Sequence, residues 1–415
     1  MQKRYLAGRL ALAFAALVAL GPARAAVDDG LLEARVASFE NGIGAAVTFR
    51  NFHTLFHTER VPAGPKPWVL ERAPVDLSAL RYEFDGASYD LAHFLEHNRT
   101  NALLVLKDGK IVQEIYRNGA NEQSHFVSFS VGKSLTSSLL GLALAEGALP
   151  SLDVPVTTYV PKLKGTGYEG ASVRDLMQMA SGVYMNEDYD IHSEEPNLFA
   201  EGIYQTWFTE ALRFSDFAAT LDRAAPPGTI FNYNTFDTQV LGSVLEGATG
   251  QRFTEFLGKA LWEPLGMESD LLMTMDSAGE DREALAGGGY LMTLRDFGRF
   301  GQMMLNGGVA DGRRIHAEAW VDEATTADPA KPFLQVGAID DDGVRVGYQH
   351  QWWLFPQGDY SAEGVFGQYI YVMPRHDLVI VKLSYWEEAW VAEKAQQSLA
   401  FFNALGEFLA DQVGP

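Results

Sequence analysis

The chain has 415 residues, 47% of them hydrophobic and 21% charged, which is the balance of a globular protein long enough to bury its own core. It contains no cysteine, which excludes a disulfide scaffold, a thiolate metal site and a cysteine nucleophile. Asp and Glu number 54 against 32 Lys and Arg, a net charge of −22 spread along the chain that disfavours nucleic acid and anionic lipid as partners.

In chain order, the first feature is a basic stretch (Lys3, Arg4, Arg9), then an apolar run from Leu10 to Leu20 too short to span a bilayer, then Ala23-Arg24-Ala25. This predicts a signal peptide over residues 1–25, cleaved after Ala25, and an exported protein, periplasmic or secreted. An uncleaved membrane anchor is the rival reading. Residues 26–76 carry Pro62, Pro65, Pro67 and Pro74 without a sustained period and are expected to form an irregular N-terminal arm. Residues 102–117 read as a β-hairpin turned at Asp108-Gly109, and residues 368–385 as a second, broken by Pro374 to Asp377. Helices are expected over 130–146, 173–180, 214–221, 238–248, 253–262 and 294–305. A long amphipathic one should run from about Trp386 to Val413, with Val391, Ala395, Leu399, Phe402, Leu405 and Leu409 on one side. Strands towards both ends with helices between predict an α/β (α+β) fold. Residues 77–150 and 290–415 would build one sheet domain, and residues 151–289 would be a mostly helical insertion.

Three segments carry candidate chemistry. In Phe129-Ser130-Val131-Gly132-Lys133-Ser134 an extended stretch turns into a helix, so Ser130 and Lys133 share one face, opposite an apolar stripe of Val131, Leu135, Leu139 and Leu142. The Ser130 N–H at a helix start can stabilise an oxyanion, and a lysine of lowered pKa can help remove a proton. The spacing by itself equally suits a capping serine and a solvated lysine. A phosphate-binding loop is excluded, because the glycine it needs five residues before Gly132 is Val127, and no Gly-x-Ser-x-Gly elbow occurs. The second segment, Pro227 to Thr235, is a Pro-Gly turn leading past Tyr233 into a helix. Tyr233 is either a general base on a rigid loop or a core tyrosine. The third, Ser361 to Gln368, places glycines beside a strand, where backbone approaches a ligand closely or simply turns.

The order and spacing of these segments resemble the serine hydrolases of the β-lactamase and penicillin-recognising superfamily, over roughly Ala102 to Phe401. The likeness is nearest to class C β-lactamases and their esterase relatives, and within them to 6-aminohexanoate-dimer (nylon oligomer) hydrolase-like members. Phe231 to Gly242, Gly287-Gly288-Gly289, Thr293 to Gly301, Trp352-Trp353 and Gly367-Gln368 share in it. The resemblance implies a β-lactamase-like antiparallel sheet flanked by helices. Ser130 would be the acylated nucleophile, with Lys133 and Tyr233 sharing the proton and the N–H groups of Ser130 and Val365 forming the oxyanion site. Thr235 stands third in the Tyr-x-Asn motif, as Ser or Thr does in nylon-hydrolase-like sequences. The Lys-Thr-Gly or His-x-Gly motif falls on Ala362-Glu363-Gly364, which lacks the cation that anchors a β-lactam carboxylate.

Residues 181–195 lie where such enzymes have a loop over the cleft, with Tyr184 or Tyr189 as the substrate-holding tyrosine. The acids Glu187, Asp188, Asp190, Glu194 and Glu195 would attract a cationic substrate end, or simply be solvated. Thr235, Gly364 and Gln368 complete the expected substrate contacts. No cofactor is required, and the expected partner is a small ester or amide, the oligomeric state being open. A β-lactamase or D-amino-acid peptidase is the enzymatic alternative, and a non-catalytic penicillin-binding-type or sensor protein the other. His93 and His97 lack a third metal ligand, Asp340-Asp341-Asp342-Gly343 lacks a calcium-loop pattern, and Asn98-Arg99-Thr100 is a glycosylation sequon.

Overall fold

Seven strands from two distant stretches of chain make the main sheet. The computed structural model describes residues 27–40, 44–189, 197–334 and 345–412. The signal segment, the far end of the acidic loop and Asp340 to Gly343 lie outside them. The longer strands are β1 (Thr58–Val61), β2 (Thr100–Lys107), β3 (Lys110–Tyr116), β4 (His125–Val127), β5 (Leu271–Thr274), β6 (Tyr290–Thr293), β7 (Gly347–Gln349), β8 (Trp352–Leu354), β9 (Tyr360–Gly364), β10 (Gln368–Met373) and β11 (Leu378–Ser384). The main sheet has the order β7-β8-β9-β10-β11-β2-β3, antiparallel throughout. Both expected hairpins are present. Asp108 and Gly109 each take positive φ, the geometry a tight two-residue hairpin turn requires, and β2 then docks along β11. A smaller antiparallel sheet has the order β1-β5-β6-β4.

The main helices are α1 (Val131–Ala145), α2 (Thr235–Thr249), α3 (Leu294–Leu305) and α4 (Ala392–Gln412). On α3, Gly298 and Gly301 let the helix sit close against one face of the main sheet. A β-carbon there would meet Leu104 at 2.5 Å, or Ile370 and Val379 at 2.7 Å. The opposite face is covered by α4, whose Phe401, Phe402, Leu405 and Leu409 join Tyr369, Tyr371, Leu378 and Ile380 in one cluster. With both faces covered, β11 is buried at every position, which is why its sequence runs apolar without alternating.

Several expectations shift. The N-terminal arm is not irregular: it holds helices Asp29–Glu40 and Ala45–Thr48 before β1. The prolines that suggested an irregular path all come later, and Leu32, Val36 and Phe39 already carry helical spacing towards the core. The terminal helix begins at Ala392, not Trp386, because Trp386 and Ala389 bond by backbone to Phe366 and hold that stretch against the β9–β10 turn. The helix expected over 253–262 is α-helical only over Phe253–Leu257 and widens to a π-turn over Gly258–Trp262. Residues 151–289 contribute β5 as well as helices. Helix α1 is buried nearly all round, not along one stripe, with Ser134, Thr136 and Ser138 bonded to Gln351 O, Ala286 O and His316. No helix among the described residues is long and apolar enough to cross a membrane.

Candidate active site

The chain leaves β4 and turns into α1 through Phe129, a non-glycine residue at φ 43°, in a region that costs on the order of 1–3 kcal/mol and survives only where the surroundings enforce it. They do so here. The Phe129 ring is packed by Phe49, Phe366, Phe52 and Phe39 at 5.0 to 6.1 Å. Beside it, Ser128 Oγ donates to the carbonyls of Phe129 and Gly288. The turn sets Ser130 at the N-cap of α1, where a helix start leaves backbone N–H groups without intrahelical partners. The Ser130 side chain caps nothing.

Its hydroxyl instead accepts from Lys133 Nζ at 2.8 Å. The same amine donates to Thr235 Oγ1 at 2.8 Å and to Gly287 O at 3.1 Å, so its three donors are all used. Lys133 is 1% exposed. Burial brings its pKa down to about 8, against the upward pull of Glu187.

Tyr233 arrives from the other side. Gly228, at positive φ, turns the chain, and Asn232 fastens it by exchanging hydrogen bonds with the backbone of Met185. Asn234 then caps α2 through Phe236 N. The Tyr233 ring lies 5.1 Å from Lys133 Nζ, and its phenol is close enough to interact with the Ser130 hydroxyl. Burial foremost, then the carboxylate of Glu187, pushes the phenol above its usual range, so it rests protonated. The three residues singled out in the sequence therefore come together at one site.

Beyond Gly364 the main sheet reaches this turn. A β-carbon on Gly364 would lie 2.8 Å from Ser128 O and 3.1 Å from Ser130 N, so the end of β9 runs directly alongside the Ser130 amide, with Val365 next in line. Gln368, expected to touch substrate, does not. It is 2% exposed, and its amide bonds Val365 O and both backbone groups of Ser384, holding the turn from behind. Thr235 likewise serves Lys133, accepting from its amine and donating its own hydroxyl to Glu187 Oε1 at 2.6 Å.

Of the two loop tyrosines, Tyr184 is 52% exposed. Tyr189 is the one at the pocket: it interacts with Ser130 and Tyr233 and donates to Glu187. Glu187, read in the sequence only as one of several loop acids, accepts from Tyr189, Thr235 Oγ1 and Thr235 N. Its two-residue spacing from Tyr189 in an extended segment puts both side chains on one side, a signal that was available. Arg345 was also missed, although it is the sole basic residue between Lys331 and Arg375. It pairs with Glu363 at 2.8 Å, so a cation does stand beside the third motif, delivered from elsewhere in the chain and neutralised.

The remaining oddities have structural partners. The His93 and His97 rings stack 5.4 Å apart, and His97 Nε2 faces Glu393 at 3.3 Å. Asn98 is fully buried with its amide bonded to Gln397 and Ser398, which closes the sequon to a glycan in the folded chain.

A family model described as beta-lactamase matches residues 91–399. The chain belongs to the β-lactamase family. Within it, a 6-aminohexanoate-dimer hydrolase of Paenarthrobacter ureafaciens is 34% identical over 305 residues, covering 72% of this chain and 76% of that one. A Bacillus anthracis structure, provisionally assigned as a 6-aminohexanoate-dimer hydrolase, superposes with a TM-score of 0.80 at 23% identity, over 90% of this chain and 96% of that one. A family VIII carboxylesterase follows the fold with a TM-score of 0.56 at 15% identity, over 75% and 95%. This β-lactamase-family chain is thus a serine hydrolase by kinship, on an antiparallel sheet flanked by helices.

Proposed function

We propose that the protein cleaves ester or amide bonds of small substrates through a covalent acyl-enzyme on Ser130. The observation that carries this is the convergence of the Ser130 hydroxyl, the buried Lys133 amine and the Tyr233 phenol at one site. Ser130 Oγ attacks the carbonyl carbon, and its proton passes to the Lys133–Tyr233 pair. The negative oxygen that forms is held by the N–H groups of Ser130 and Val365, which are in place before the charge develops and need no reorganisation. The carbonyl–leaving group bond breaks as the leaving atom takes a proton from Tyr233. Water then repeats the sequence in reverse on the acyl-enzyme. No step calls for a metal or organic cofactor. Tyr189 and Gly364 are the remaining substrate neighbours in this reading.

Small linear amides and esters are the favoured substrate class, in line with what the relatives are named for. Glu363 within the third motif, paired with Arg345, argues against an anchor for the carboxylate of a β-lactam. Nitrocefin turnover is expected to be slow or absent. Export through a cleaved leader over residues 1–25 is part of the same proposal.

Labelling with a fluorophosphonate probe, alongside p-nitrophenyl esters of graded length and a linear aminohexanoate dimer, tests it. Wild type should label and turn over ester, and Ser130→Ala should do neither. Equal labelling of the two proteins would remove Ser130 from its role.

A further inference from the structure

A phenol that carries a proton between Ser130 and a leaving group has to keep its ring fixed while its hydroxyl stays free to change partner. The surroundings of Tyr233 meet both needs through ring contacts. The indole of Trp353 lies parallel to it, 14° between planes and 5.8 Å between centroids, while Tyr348 meets it edge-on at 6.3 Å. Lys133 Nζ completes the enclosure. Trp353 is held in turn by the edge contact of Tyr348 at 4.8 Å and by the Arg345 guanidinium 4.7 Å from its centre. Arg345 also stacks on Trp390 at 5.3 Å and pairs with Glu363, whose second oxygen accepts from Ser361. Backbone register ties the arrangement together, because Trp353 pairs with Ser361 on β9, two residues before Glu363 and on the strand that ends at Gly364.

We propose that Trp353, backed by the Arg345–Glu363 ion pair, is a positioning residue for the Tyr233 phenol. It touches no reacting atom. Its work is to hold the ring so that the hydroxyl reaches both Ser130 and the departing atom. The cost of losing it then depends on how much the leaving group needs a proton. This rests on the acyl-enzyme reading, in which Tyr233 returns the proton.

The test compares the p-nitrophenyl and benzyl esters of one acid. p-Nitrophenolate leaves without help, whereas benzyl alcohol must be protonated as it departs. Trp353→Leu is expected to lose about tenfold in kcat/KM, which reports the acylation step alone, on the benzyl ester and less than threefold on the p-nitrophenyl ester. Trp353→Phe, which keeps a ring face, should stay within about threefold on both. Arg345→Met should repeat the selective loss at smaller amplitude, and it decides the matter should Trp353→Leu not fold. Equal losses of kcat/KM on the two esters, or kcat/KM unchanged on both, would each overturn the proposal. Ser130→Ala separates the two claims. If it retains turnover, the acyl-enzyme reading itself fails. If it is inactive while Trp353→Leu matches wild type on both esters, this inference alone fails.

Discussion

Lys133 is almost wholly buried, yet donates to three acceptors, and its pKa of about 8 puts its titration inside the measurable range. Below that pKa the amine is charged and can take no proton from Ser130. The rate, kcat/KM, on an uncharged ester should therefore climb close to tenfold per pH unit up to about pH 8 and then level. Lys133→Arg holds a charge at every such pH, so it should abolish this limb and lower the rate by about 100-fold or more, read from pH–rate profiles of the two proteins. Gly364 supplies a second prediction. A methyl group at this position presses on Ser128 O and Ser130 N, which cannot yield without moving the turn that presents Ser130. Gly364→Ala should cost on the order of 100-fold in kcat, the scale of one lost oxyanion donor, and lower the melting temperature as the clash displaces backbone.

Among the elements, the N-terminal helix does more than cover the body. Arg35 is 1% exposed and donates to the carbonyls of Leu55, Trp207 and Phe208 and to Glu210, and Phe39 on the same helix packs against Phe129. The helix therefore both pins the segment around Trp207 and braces the strained turn that presents Ser130. Arg35→Met leaves Glu210 partly buried without this partner and three carbonyls short of a donor. The expected loss is about 3 kcal/mol of unfolding free energy in urea titration. Activity should fall at temperatures where the global fold persists, as the brace loosens first.

For the molecule as a whole, acid should be the weak direction. Burial holds His316 near pKa 4 and His350 near 3, both well below the usual 6.5. The unfolded chain takes these protons below about pH 6.5 while the folded chain refuses them, so stability is complete above that pH and drains away as pH falls towards 4. Between pH 7.5 and 5 each histidine should contribute roughly 2 kcal/mol to the loss. Denaturant melts of His350→Gln at the two pH values should show a smaller difference than wild type, and an unchanged difference would assign the acid lability elsewhere.

What could be read from the amino-acid order is local or periodic. Hairpin turns such as Asp108-Gly109, the run of β11, the spacing of Ser130 and Lys133 and the Pro-Gly lead into Tyr233 are written within a few residues, because φ preferences and side-chain periods act over that range. Tertiary structure alone decided which groups meet. Glu187 reaches Lys133 through Thr235, Arg345 supplies a charge beside Glu363, and Gln368 turns from a presumed substrate contact into a brace. Tyr189 lies at the pocket and Tyr184 in solvent for the same reason: burial, and the contacts it forces, depend on segments far apart in the chain that become neighbours only once the sheet has closed.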